Sequence, residues 1–317
     1  MKSTLWLIIL AAAVVSFSCK RPDAKRASVV PGARAERPPT VSASPTPTPR
    51  AEYLPDQFGE RLTDSWGNIE YTENDTLKYQ SLEMIKRTKR VKIGDPNLDT
   101  DIEYAELQKH GSIVARFGES AREPHSSIRF GRFNFLGAPD EQLVVEQTAN
   151  KFWRYWIVRV SPTLEVIYDS GKYDLVFDLG ASDFDRDGRH ELVQHLGTFW
   201  YFMAGNPDST RPPVILAYDE RARRYIPASP KFQNVLLADI EQRMAKVREL
   251  KLRGGVGVVD VVIRYLYAGK EREAWEFLER ECGGCRTLFG EETLKGALKK
   301  QLRRDAFYRE VSRRGTE

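Results

Sequence analysis

The chain has 317 residues, 41% hydrophobic and 30% charged, enough to build about two globular domains. Its net charge of +4, from 49 basic and 45 acidic residues, is too balanced for a dedicated nucleic-acid binder. Three cysteines exclude a disulfide-rich scaffold, and 6 Trp, 13 Tyr and 15 Phe supply a sizeable core.

The N-terminus reads as an export signal over residues 1–18. Met1-Lys2 is a short positive region, Leu5 to Val15 an apolar core, and Ser16-Phe17-Ser18 ends it just before Cys19. The run is short for a bilayer span. A stop directly before cysteine resembles the bacterial lipobox, which implies acylation of Cys19 and attachment to a membrane. Ser16 stands where that motif usually has a branched aliphatic residue, so plain cleavage after Ser18 is the rival, with an uncleaved anchor third. Residues 19–52 are a proline-rich tether: seven prolines among Ser, Ala and Arg between 20 and 52 leave nothing large and apolar to bury.

Residues 53–229 are expected to form a β-rich domain. A short helix is predicted around Asn74 to Arg87, then strands at Arg90–Ile93 and Gly111–Phe117 from their alternation. Further strands are predicted at Leu143–Gln147, Tyr155–Val160, Val166–Tyr168, Glu191–Leu196, Trp200–Met203, Val214–Tyr218 and Arg224–Ile226, with turn formers in nearly every gap. A weak repeat sets Asn134-to-Val144 against Asp183-to-Val193, 49 residues apart, with later strands ending in Tyr168-Asp169 and Tyr218-Asp219. Two copies are too few for a closed propeller, which needs about four blades, so consecutive meanders or a small sandwich fit better. Residues 230–317 turn helical, with expected helices at Phe232–Leu252, Val256–Tyr267, Glu271–Glu281, Glu291–Leu302 and Asp305–Arg313. The second is apolar nearly all round and belongs inside a bundle. The predicted class is therefore α+β: an antiparallel β meander or sandwich-like domain followed by a helical subdomain.

Residues 183–195, DFDRDGRHELVQH, carry the chemistry. A zinc-protease helix requires histidines four apart, whereas His190 and His195 are five apart in a β context, where odd spacing sends them to opposite faces. An EF-hand requires Glu at its twelfth position, and Gln194 stands there. The stretch instead resembles the aspartate loops of FG-GAP, integrin-type blades, D-x-D-x-D-G-x-x-D/E followed by an apolar residue. That resemblance implies a calcium ion held by Asp183, Asp185, Asp187 and Glu191 with the Arg189 backbone carbonyl. In the first repeat copy only Asn134 keeps a ligand oxygen, while Leu136, Ala138 and Gln142 replace the rest. An acidic hairpin that holds nothing is the alternative.

Other motifs are weaker. Asp95-to-Glu103 alternates acidic residues and reads as a solvated loop rather than a second cation site, and Lys86-to-Lys92 as the exposed basic face of a helix–strand junction. Cys282-Gly-Gly-Cys285 follows a helix, where the dipole opposes a reactive thiolate, so a structural disulfide is expected ahead of redox chemistry. No catalytic triad or paired-glutamate arrangement stands out. The wider arrangement resembles a group of bacterial envelope proteins, which implies shared architecture without an activity. The expectation is a non-catalytic, exported and lipid-anchored envelope protein with one structural calcium. It would bind envelope proteins or glycans through the aromatic stretch Phe199-to-Phe202, and no nucleic acid. The alternative is a metal-dependent envelope hydrolase.

Overall fold

Alternating burial organises the first half of the fold. In a computed structural model, the residues described are 60–61, 70–72, 74–92, 99–120, 126–137, 141–149, 152–199, 202, 210–249, 256–282 and 292–314. The expected signal, Cys19 and the proline-rich tether lie outside them. Among the described residues no helix is long and apolar enough to cross a membrane.

Two two-residue strands come first, β1 (Glu60–Arg61) and β2 (Glu70–Tyr71). Three consecutive four-stranded antiparallel meanders follow. The first comprises β3 (Thr76–Tyr79), β4 (Leu82–Lys92), β5 (Asp99–Lys109) and β6 (Ser112–Phe117). The second comprises β7 (Ser127–Phe133), β8 (Gln142–Ala149), β9 (Phe152–Arg159) and β10 (Glu165–Asp169). The third comprises β11 (Leu175–Ser182), β12 (Glu191–Leu196), β13 (Pro213–Asp219) and β14 (Arg224–Pro227). β2 extends the second meander beside β7 and β1 extends the third beside β11, giving sheets of four, five and five strands.

The helix expected at Asn74–Arg87 is instead the β3–β4 hairpin. Gln80 at φ 55° supplies the turn, Tyr79 pairs with Leu82, and Leu82 and Met84 are buried with a period of two. Pairing along eleven positions of β4 against β5 overrides the local helical preference. The acidic loop is likewise corrected: Asp99, Asp101 and Glu103 lie on β5, opposite Lys92, Arg90 and Thr88 of the basic run. Arg90 pairs with Asp99 of the acidic run at 3.4 Å, while Lys86, Arg87 and Lys89 pair with Asp75, Glu106 and Glu119 outside it. Of the predicted strand Trp200–Met203, only Phe202 is described, and it sits in a bend.

The middle sheet is buried on both faces. Leu143, Val145, Trp156 and Val158 join a cluster with Met84, Leu107 and Phe117 of the first meander. Their neighbours Val144, Tyr155 and Ile157 join the main cluster with Leu192, Val193, Ile215 and the helices. Alternate residues of one strand therefore serve two layers, which is why β8 is buried at seven of its eight positions, Gln142, Glu146 and Gln147 included.

The helices are α1 (Gln233–Glu249), α2 (Val256–Tyr267), α3 (Glu271–Cys282), α4 (Leu294–Arg304) and α5 (Ala306–Arg314). The main cluster runs without interruption from β12 and β13 into these helices. In α2, Val258, Val259, Val261, Val262, Ile263 and Leu266 are at most 1% exposed, as expected for a bundle's central helix. Its one buried cation, Arg264, is bound by Asp239 and by Asp260 at 3.0 Å. Cys282 at the end of α3 is disulfide-bonded; Cys285 lies outside the described residues.

The repeat extends further than its sequence suggests. Gln142 Oε1 accepts the Phe135 N–H at 2.7 Å, and Glu191 Oε2 accepts the Phe184 N–H at 2.9 Å, the same bond 49 residues on. Ser170 Oγ accepts the Tyr155 N–H at 2.9 Å, and Ser229 Oγ accepts the Ile215 N–H at 2.9 Å. Each serine opens a 3-10 turn, Ser170–Tyr173 or Ser229–Phe232, after the fourth strand of its meander. The first turn leads into β11 and the second into α1. The paired Tyr-Asp endings were misaligned: Tyr168-Asp169 closes the fourth strand of its meander, and Tyr218-Asp219 the third.

Candidate metal site

The loop between β11 and β12 holds the acidic motif. Arg186 at φ 61° and Gly188 at φ 85° adopt left-handed backbone, which winds the chain tightly enough for side chains to cap it. Asp183 Oδ1 accepts the Asp187 N–H at 3.0 Å, and its Oδ2 accepts the Gly188 N–H at 3.0 Å. Asp187 Oδ1 accepts the Arg189 N–H at 2.8 Å. This winding brings carboxylate oxygens of Asp183, Asp185 and Asp187 within 4.8 Å of one another, and the cluster can hold a metal ion.

Glu191 falls outside that group, and its Oε2 accepts the Phe184 N–H at 2.9 Å. Burial pushes its carboxyl up to about 7, with Asp185 and Asp187 adding to the rise and the Phe184 N–H opposing it. The Arg189 guanidinium pairs with Glu220 at 2.6 Å, leaving its carbonyl as the expected ligand. The nearest balancing charge comes from far along the chain: Lys231 Nζ lies 2.6 Å from Asp185 Oδ2. The hydrogen bond to Asp185 is the main cause that holds the Lys231 ammonium above its usual range.

The loop also touches the second meander. The His190 N–H donates to the Phe135 carbonyl at 2.8 Å, and Tyr225 Oη donates to the His190 carbonyl at 2.9 Å. Phe133 meets the His190 ring edge to face at 5.1 Å. Gly137, at φ 82°, faces the Gly188 carbonyl so closely that a Cβ there would lie 2.9 Å from its oxygen. The two equivalent loops thus pack against each other, and the position of one depends on the other.

The remaining expected residues are placed differently. His195 lies on β12, and Gln194 is fully buried with its Oε1 accepting the Tyr168 hydroxyl, which agrees with setting aside the zinc-helix and EF-hand readings. Phe199 is core, packed on Phe202 at 5.6 Å and Tyr267 at 6.1 Å, so it offers no binding surface. Residues 200 and 201 lie outside the described residues. Sequence reasoning missed Lys231 and the Gly137–Gly188 approach. A signal existed for Lys231: Ser170-Gly-Lys172-Tyr and Ser229-Pro-Lys231-Phe recur in the repeat with a 59-residue offset. Both lysines also lie over the aromatic ring that follows, at 4.6 and 5.0 Å.

No family model matches the chain, no curated protein matches it in sequence, and no solved structure matches it in fold.

Proposed function

We propose that this is a non-catalytic, membrane-tethered protein of a bacterial envelope whose β layers are clamped by one structural calcium ion. The observation that carries the reading is the convergence of Asp183, Asp185 and Asp187 on a loop that itself joins two meanders. Three carboxylates this close repel one another by roughly 1 kcal/mol per pair in water and more where solvent is excluded. A divalent ion reverses that sign. Hard, flexible oxygen donors suit calcium better than zinc, and magnesium demands a stricter octahedron. Asp183, Asp185 and Asp187 would hold the ion with the Arg189 carbonyl, and Glu191 would complete the site by giving up part of its bond to Phe184. Lys231 would be released from Asp185.

The tether and anchor follow from residues 1–52: acylation of Cys19 with a proline-rich stalk of about 100 Å reach would hold the folded part off a membrane. The role at that position would be binding of envelope proteins or glycans.

Titration calorimetry of the purified protein with calcium, magnesium and zinc chlorides tests the ion. One-site calcium uptake in the micromolar to low millimolar range, stronger than magnesium, is expected. No calcium uptake, or preferred zinc binding, would remove the proposed role. Metal-dependent turnover of peptide, phosphoester or glycan substrates would favour the hydrolase instead. Loss of palmitate labelling in Cys19→Ser tests the anchor separately.

A further inference from the structure

Helices α3, α4 and α5 enclose a cleft of about 330 Å3 that the calcium reading does not use. Its walls are Glu271 and Trp275 from α3, Lys299 and Arg303 from α4, and Arg309 and Arg313 from α5, with Leu302 and Tyr308 among the lining. Lys299 and Arg303 are one turn apart, as are Arg309 and Arg313, so two like-charged pairs face one depression. Like charges at that spacing oppose helix formation by a few tenths of a kcal/mol each, a cost that an anion between them would reverse.

The counter-charge within the cleft is small. Among the described residues Glu271 is its single lining carboxylate, and it accepts the Trp275 indole N–H at 3.0 Å. Among the described lining residues four cations therefore stand against one carboxylate. Among the described residues neither Arg303 nor Arg309 forms an ion pair, and both are exposed. Lys295 and Lys299 lie 5.6 and 5.5 Å from the Trp275 ring centre, which draws cationic side chains to this wall. Lys295 is already taken by Glu279 at 3.0 Å, whereas Lys299 has no carboxylate partner among the described residues. The volume falls at the lower end of small-molecule sites, too small for a folded partner and adequate for a headgroup-sized ligand.

We propose that this cleft binds a phosphate-bearing ligand, with the phosphoryl group between Arg303 and Arg309 and its attached organic group against Trp275. Guanidinium forks match phosphoryl oxygens two at a time, and a phosphoryl dianion carries a charge for each of the Arg303 and Arg309 guanidiniums where a single carboxylate would carry one. The chemistry is shared by an anionic lipid headgroup and a soluble phosphomonoester.

The experiment measures binding of inorganic phosphate and glycerol 3-phosphate by calorimetry, and of phosphatidylglycerol against phosphatidylcholine vesicles by co-sedimentation. It compares the purified wild-type protein with Arg303→Gln/Arg309→Gln. A second double variant, Arg272→Gln/Arg280→Gln, removes the same charge from α3 outside the cleft lining. Both pairs are solvent-exposed, and Lys299→Gln replaces the first variant should it unfold. At least tenfold weaker binding in the cleft variant alone, lost as salt rises, is expected. Binding of the soluble phosphates identifies a small-molecule source, and binding of phosphatidylglycerol vesicles alone identifies a headgroup. Equal loss in both double variants would show diffuse surface charge and overturn the proposal, as would a wild-type protein that binds none of the probes.

Discussion

Replacing Asp185 by asparagine separates the ion from the fold it would stabilise. Without calcium, the Asp185 side chain is held among the described residues by its ion pair with Lys231, the two side chains being 27% and 60% exposed. Such a pair contributes about 0–1 kcal/mol. Losing it is offset by relief from Asp183 and Asp187, at roughly 1 kcal/mol per pair in water. Stability in a chelator should therefore equal that of wild type or exceed it by up to about 2 kcal/mol. With free calcium at a hundred times its dissociation constant, the wild type should gain about 2.7 kcal/mol. For a chain of this size that corresponds to roughly 5–10 °C in Tm. The variant loses a charged ligand, and its calcium-dependent gain should fall below about 1 kcal/mol. Urea unfolding followed by tryptophan fluorescence, with calcium and with chelator, gives all four values. An equal calcium gain in both proteins would refute the assignment of Asp185 as a ligand. A large loss in chelator would show that the loop depends on Asp185 for some other reason.

Three further outcomes follow from the same geometry. Glu191→Gln should hold chelator stability within about 1 kcal/mol of wild type, because Gln142 makes the equivalent backbone bond with an amide, whereas Glu191→Leu strands the buried Phe184 N–H and should lose about 1–3 kcal/mol in urea unfolding. Gly137→Ala should be at least about 1 kcal/mol more destabilising than Gly188→Ala: both have positive φ, but only at Gly137 does a Cβ meet backbone, at 2.9 Å, while space is open at Gly188. Equal losses would mean that the two loops are not packed together. Burial raises the Asp305 carboxyl, so its favourable contribution is complete below the ordinary aspartate range near 3.8 and is lost as pH rises through the higher folded value. Asp305→Asn, which can still accept the Tyr308 N–H at the start of α5, should gain on wild type as pH rises above about 4; parallel stability curves across that window would contradict the burial argument.

The parts legible in the chain were those set by neighbours in sequence. Turn formers on either side of Glu191–Leu196 and the long, nearly all-apolar run from Val256 to Tyr267 mark a strand and a buried helix without reference to any partner. The aspartate loop is equally local: Asp183 caps N–H groups four and five residues on, so spacing alone implies the winding. Asn74–Arg87 was different. Its residues suit a helix as readily as a strand, and pairing with β5, across a sequence gap, decided between them. The partners of the basic run, Asp75, Glu106, Glu119 and Asp99, are spread over separate parts of the chain, so its ion pairs left no pattern in sequence order.

Charge placement at a distance could not be read from order along the chain. Lys231 reaches Asp185 across 46 residues because the 3-10 turn after β14 returns the backbone to the loop. The four cations around the α3–α5 cleft come from two helices, α4 and α5, and become one site only when those helices pack against α3. Hydrogen bonding and side-chain periodicity act over a few residues and leave a mark in sequence order. Coulombic and packing terms depend on separation in space, which the folded core alone establishes.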